Sequence, residues 1–212
     1  MKPNRKTDHG FREIKLLMRK KLLKNINPGN ALDLYAGEGK LLTAMAPAFN
    51  SVEAVEKDPV KFMKLERAVR RENLENVRLH FTDNSRFVKS RLPELSAINY
   101  IDLDAYGCPN RLIQQLFQNW TPPGRAVFAV TDGGRIYLSC GNRVKLGDYF
   151  PEEEQPKEAA RIRPALIRDY ELLLKSFWKS LGRRHGFCIV DWLSAWRKSR
   201  RVIYYGVCIE PD

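Results

Sequence analysis

The chain has 212 residues, 43% of them hydrophobic and 29% charged, the balance of an ordinary globular domain with one core. No apolar run approaches the roughly 18 residues needed to cross a bilayer, and the basic start MKPNRKTDHGFREIK lacks the apolar segment of a secretory signal. A cytoplasmic protein with no membrane partner is expected, and a formal net charge of +12 with a pI near 9.7 points to a polyanionic partner, nucleic acid first of all.

A basic amphipathic helix over residues 11–24 opens the chain, in an amino-terminal segment (1–28) set apart from a single domain over 29–212. Its Arg12, Lys15, Arg19, Lys20, Lys21 and Lys24 read either as a basic wall for phosphates or as a solvated helix face. Short apolar runs at 31–36, 52–57, 77–82, 98–104 and 126–132 then alternate with helical-period segments at 40–48, 60–72, 85–92 and 111–120. Such alternation, with continuous apolar strands, marks a parallel sheet covered on both faces, a doubly wound α/β fold. Residues 133–156 break the rhythm: rich in glycine, tyrosine and arginine, then ending in PEEEQP, they form a candidate functional insertion. A helix over 157–181 follows, then strands at 187–192 and 202–209. With no helix between them these strands form a hairpin, so the last runs antiparallel.

The chemistry-bearing residues gather at the carboxyl ends of the strands. ALDLYAGEGK puts Asp33 late on the first strand and Gly37 and Gly39 in the following turn, where glycine lets a ligand approach the backbone. The dinucleotide pattern G-x-G-x-x-G fails at Leu42. Glu56 ends the second strand where an acid can hold two ribose hydroxyls, and Asp83 ends the third where a carboxylate can accept from an adenine amine. The fourth run, AINYIDLDAYGCP, ends in Asp102 and Asp104, which fall on one face of a strand. Paired acids there suit a site that accepts a proton, or a hydrogen bond from an amine. Asp102 is open to sharing that proton, supporting Asp104 or simply ending the strand.

Tyr106 reads as a stacking platform for an unstacked base or as a cover for its loop. Asp132 reads as a reader of a base edge or as a turn residue before Gly133 and Gly134. Basic segments fall on the same edge: Arg135, Arg143 and Lys145 in the insertion, then Arg197, Lys198, Arg200 and Arg201 in the hairpin. Cys108, Cys140, Cys188 and Cys208 include no C-x-x-C pair and are expected as reduced thiols. His9, His80 and His185 have no ligand spacing, and no metal is expected.

Over residues 31–210 these motifs resemble the class I S-adenosylmethionine-dependent methyltransferases. The resemblance implies a Rossmann-like seven-strand sheet with an antiparallel last strand and S-adenosyl-L-methionine as cofactor. Asp33 would organise the glycine turn, Gly37 and Gly39 would border the methionine moiety, Glu56 would bind the ribose, and Asp83 with Asn84 would face the adenine. Within that family, IDLDAYGCPN and GRAVFAVTDGGRIYLSCGN are similar to the catalytic segments of the tRNA guanine-N2 dimethyltransferases. Those have Asp-Pro-Phe-Gly where this chain has Asp104-Ala105-Tyr106-Gly107, and a Thr-Asp and a Cys-Gly pair matching Thr131-Asp132 and Cys140-Gly141. Ala105 departs from the family's proline, and the 212 residues hold no counterpart of its carboxyl-terminal RNA-binding domain. The implied activity is methyl transfer to an exocyclic base amine, guanine N2 in tRNA or other structured RNA, with Asp104 as acceptor and general base. The alternatives are a DNA adenine or cytosine amino-methyltransferase and a non-catalytic nucleic-acid-binding module of the same fold.

Overall fold

The computed structural model describes residues 12–95, 97–139, 146–150 and 159–212. Its strands are β1 (Asn30–Asp33), β2 (Ser51–Glu56), β3 (Val77–Phe81), β4 (Ile98–Asp104), β5 (Ala126–Asp132), β6 (Phe187–Trp196) and β7 (Ile203–Pro211). They form one sheet in the order β3-β2-β1-β4-β5-β7-β6, with β7 alone running against the rest. This is the doubly wound sheet expected from the alternating pattern. Every residue of β5 is buried, as a continuous apolar strand in the middle of a two-sided sheet must be.

The helices are α1 (Arg12–Leu22), α2 (Leu42–Met45), α3 (Pro59–Arg71), α4 (Asn84–Ser90), α5 (Asn110–Asn119), α6 (Gly134–Ser139), α7 (Ala159–Arg168) and α8 (Tyr170–His185). Phe87, Ile113, Phe117 and Trp178 from α4, α5 and α8 fill one face of the sheet. Leu22, Leu42, Met45 and Leu65 from α1, α2 and α3 fill the other. Helix starts follow local chemistry: Asp58 accepts from the amides of Val60 and Lys61 ahead of Pro59 in the first turn of α3, and Asp83 accepts from the amide of Ser85 at α4.

Three differences from the sequence pattern have physical causes. The expected helix over 157–181 is two helices, because Asp169 leaves helical geometry (ψ 36°), and the chain restarts with Tyr170 buried. The strand expected at 187–192 runs on to Trp196, which pairs with Ile203, so the hairpin tip lies at the edge where β4 and β5 end. Helix α1 lies against the sheet: a β-carbon at Gly206 would stand 2.3 Å from Leu22 Cδ1, so the glycine on β7 is the notch that admits the helix. Of the segment 133–156, α6 and a short turn at Leu146–Asp148 are described; Cys140, Gly141, Arg143 and Lys145 lie outside the described residues. Among the described residues no helix is long and apolar enough to cross a membrane.

Candidate active site

The turn after β1 is built on its glycines. Gly37 and Gly39 have φ of 58° and 81°, backbone that side chains resist, and a β-carbon on Gly39 would stand 2.8 Å from Leu65 Cδ1. Asp33 accepts from the amide of Tyr35 at 3.1 Å as the turn begins. Glu56, at the end of β2, reaches across: Oε2 accepts from the Gly37 amide at 2.9 Å, while Oε1 accepts from the amides of Lys57 and Asp58 at 2.8 Å each. Beside this turn opens a cleft of about 410 Å³, lined among others by Tyr35, Lys57, Asp83, Asn84, Cys108 and Arg111. Asp83 caps α4 with Oδ1 and pairs with Lys57 through Oδ2 at 3.1 Å.

The second half of the site lies under α1. Asp33 and Asp102 are register partners on adjacent strands, and Asp104 follows on the same face as Asp102. Arg19 is 3% exposed and grips Asp102 with two hydrogen bonds, Nε to Oδ2 at 2.6 Å and Nη2 to Oδ1 at 2.7 Å. One helical turn earlier, Lys15 Nζ donates to Asp104 Oδ1 at 2.6 Å. Burial works to lower the pKa of Arg19, but Asp102 outweighs it and the guanidinium is held firmly charged. For Asp104, burial works upward and is outweighed by Arg19 and then by Lys15, so its carboxyl sits below the ordinary range and is ionised. Asp33 goes the other way: burial, and then the charge of Asp102, raise it well above its usual value. Three acids and two cations thus share one face, and of Asp33 and Asp104 it is Asp33 that retains a proton more readily.

The basic residues of α1 therefore divide. Lys15 and Arg19 turn inward to the acids, while Arg12, Lys20, Lys21 and Lys24 stay on the exposed side. Arg12 donates to the Lys40 carbonyl at 2.9 Å, which ties the start of the helix to the glycine turn. Sequence reasoning missed this role for Arg19. The available signal was that Lys15, Arg19 and Leu22 share one helix face.

The other candidate residues are placed as follows. Tyr106 is 80% exposed, with Lys61 Nζ 5.2 Å from its ring centre. Asp132 is fully buried: Oδ1 accepts from the Gly134 amide at 2.5 Å and from the Tyr170 hydroxyl at 3.0 Å. Its Oδ1 thus serves the turn, while Oδ2 is buried with no hydrogen-bond partner among the described residues. Burial raises its carboxyl to about 7. Tyr149 links the same group to Cys108: with the Tyr170 proton given to Asp132, Tyr149 donates to the Tyr170 hydroxyl (2.7 Å) and accepts from the thiol at 3.5 Å. Arg135 donates from Nε to the Ile167 carbonyl and from Nη1 to the Arg200 carbonyl, which braces the hairpin tip. Lys198, Arg200 and Arg201 are exposed at that tip, and Arg197 is half-buried beside them.

No family model and no curated protein matches this sequence. Solved structures do match. One is M. jannaschii TYW2 in complex with AdoMet, at 15% identity and a TM-score of 0.60, covering 98% of this chain and 78% of that one. Another is an rRNA methylase from Streptococcus thermophilus, at 12% identity and a TM-score of 0.51, with 96% and 95% covered. A third is the M. jannaschii tRNA m1G37 methyltransferase, at 11% identity and a TM-score of 0.55; 94% of this chain matches, and it spans 49% of that protein's length. The fold is that of the class I S-adenosylmethionine-dependent methyltransferases. Identities of this size carry the fold and leave the substrate to be argued from the site.

Proposed function

We propose that the protein transfers a methyl group from S-adenosyl-L-methionine to an exocyclic amine of a nucleobase in RNA. The observation that carries this reading is the contact between Asp104 and an amine. A carboxylate at the end of β4, kept ionised by Arg19 and Lys15, already accepts an N–H from the Lys15 ammonium at 2.6 Å.

The cleft and turn fit the cofactor. Gly37 leaves backbone open to a close ligand in a turn that Gly39 lets pack against α3, Glu56 stands at the end of β2 for ribose hydroxyls, and Asp83 with Asn84 lines a cleft large enough for a nucleoside. When bound, the sulfonium supplies an activated methyl group. The chain's task is then to position the acceptor. A base amine has its lone pair delocalised into the ring, and accepting its hydrogen at Asp104 favours tetrahedral nitrogen and takes up the proton released as the N–C bond forms. Arg19 fixes Asp102 behind it, and Tyr106 offers an exposed ring on which an unstacked base can rest.

RNA is favoured by the exposed basic hairpin tip and by neighbours of the same fold described as tRNA and rRNA methylases. Guanine N2 in tRNA is the finer reading, resting on the resemblance around Asp104-Ala105-Tyr106-Gly107. The test is to incubate the protein with methyl-labelled cofactor and separate pools of tRNA, rRNA and DNA, then to identify the nucleoside by mass spectrometry. Label in N2-methylguanosine supports the full reading. Label in DNA alone replaces it with an amino-methyltransferase of DNA, and cofactor binding without label in any pool leaves a binding module.

A further inference from the structure

The two cations beside Asp104 differ in their freedom to leave. Arg19 is buried and committed at two points to Asp102. The Lys15 side chain is 18% exposed and carries its ammonium on a flexible four-carbon stem. Arg19 also favours the charged form of Asp104, so Lys15 is not its sole cationic neighbour. What Lys15 adds is occupancy: its ammonium sits on Oδ1, where it competes with an incoming amine for the carboxylate. The ammonium also lies 5.1 Å from the ring centre of Tyr204, the second residue of β7, next to the exposed hairpin tip with Lys198, Arg200 and Arg201. That edge is where a polyanion would bring its phosphates.

We propose that Lys15 is a specificity-determining placeholder, which holds Asp104 until a phosphate of an incoming polynucleotide accepts its ammonium and frees Oδ1 for the base amine. The inference rests on the reading of Asp104 as the amine acceptor. A neutral nucleoside must break the Lys15 contact with nothing to replace it, whereas a polynucleotide exchanges one anion for another. The site thereby selects bases that arrive on a phosphate chain.

The test uses Lys15→Met, which keeps the stem and removes the charge, with Lys15→Arg as the conservative control and thermal melts to establish folding. Should the methionine variant not fold, Lys15→Gln takes its place. The probes are guanosine and a short guanosine-containing single-stranded oligoribonucleotide, each titrated calorimetrically with S-adenosylhomocysteine present. Lys15→Met should bind guanosine about fivefold to tenfold more tightly than the wild type. For the oligoribonucleotide, the slope of log K against log salt should become shallower by about 0.7, one phosphate contact. Lys15→Arg should keep the wild-type slope. Unchanged or weaker guanosine binding in Lys15→Met, or an unchanged slope, overturns the placeholder. If wild-type turnover on RNA persists in that case, the proposed function survives alone; a wild type that binds neither probe removes both.

Discussion

Arg19 and Asp102 face each other across the boundary between α1 and the sheet as a two-point ion pair, with 3% and 6% of their surfaces exposed. The pair anchors the helix at the face where Asp33, Asp102 and Asp104 converge. Arg19→Met should cost about 3–5 kcal/mol in urea unfolding, because it strands Asp102 in a buried site beside Asp33. Adding Asp102→Leu should recover most of the loss, since a well-packed apolar pair avoids the desolvation of both charges. A single variant as stable as the wild type would mean that the helix is not held in this way.

Asp104 and Glu56 should separate in their effects. Asp104→Asn should lower kcat by a factor of about 10²–10⁴ while leaving the cofactor dissociation constant nearly unchanged. Glu56→Ala removes the acceptor of the Gly37 amide together with the acid proposed for the ribose, and should raise that constant by about tenfold to a hundredfold. Turnover retained in the Asp104 variant would rule out its catalytic role.

Tyr106 stands 80% exposed with Lys61 across its ring, so its removal should spare the fold. Tyr106→Ala should leave the melting temperature within error of the wild type and weaken RNA binding by about 1–3 kcal/mol, the worth of one stacked base. Tyr106→Phe should restore binding, because stacking uses the ring and not the hydroxyl. Equal RNA affinity in all three proteins would reduce Tyr106 to a surface residue.

Asp132 should make stability depend on pH. Its carboxyl is raised from 3.8 to about 7 by burial, so between those values the folded state holds a proton that the unfolded chain has released. Stability from this group is therefore greatest at low pH, falls as pH rises from about 4 to about 7, and stays at its lower level above that. At about 1.4 kcal/mol per unit the full span is on the order of 4 kcal/mol. Asp132→Asn should flatten this part of the profile and be the more stable protein at pH 8. Parallel profiles from urea unfolding at pH 5, 6, 7 and 8 would refute the assignment.

Much of the scaffold was legible because it depends on local rules. The runs at 98–104 and 126–132 match β4 and β5 residue for residue, since each is a mostly apolar run closed by an acid, Asp104 or Asp132, at the turn that follows. The hairpin, and with it the reversal of β7, followed from the absence of a helix between two strands. The break at Asp169 and the extension of β6 to Trp196 were not legible. Each depends on what the residue meets in the folded protein, a buried hydroxyl network in one case and the pairing of Ile203 in the other.

The amino-acid sequence by itself determined the order of strands and helices, the glycine turn after Asp33, and the placing of Asp102 and Asp104 on one side of β4, because period and turn chemistry act over a few residues. Only the tertiary structure decided that two of the lysines and arginines of α1 meet those acids. Four residues along a helix rise about 6 Å and two along a strand about 6.6 Å, so Lys15 and Arg19 match the spacing of Asp104 and Asp102 when helix and strand run in opposite directions. That match is a relation between elements distant in sequence. It arises only once Leu22 has settled over Gly206 and brought the helix face down onto the sheet.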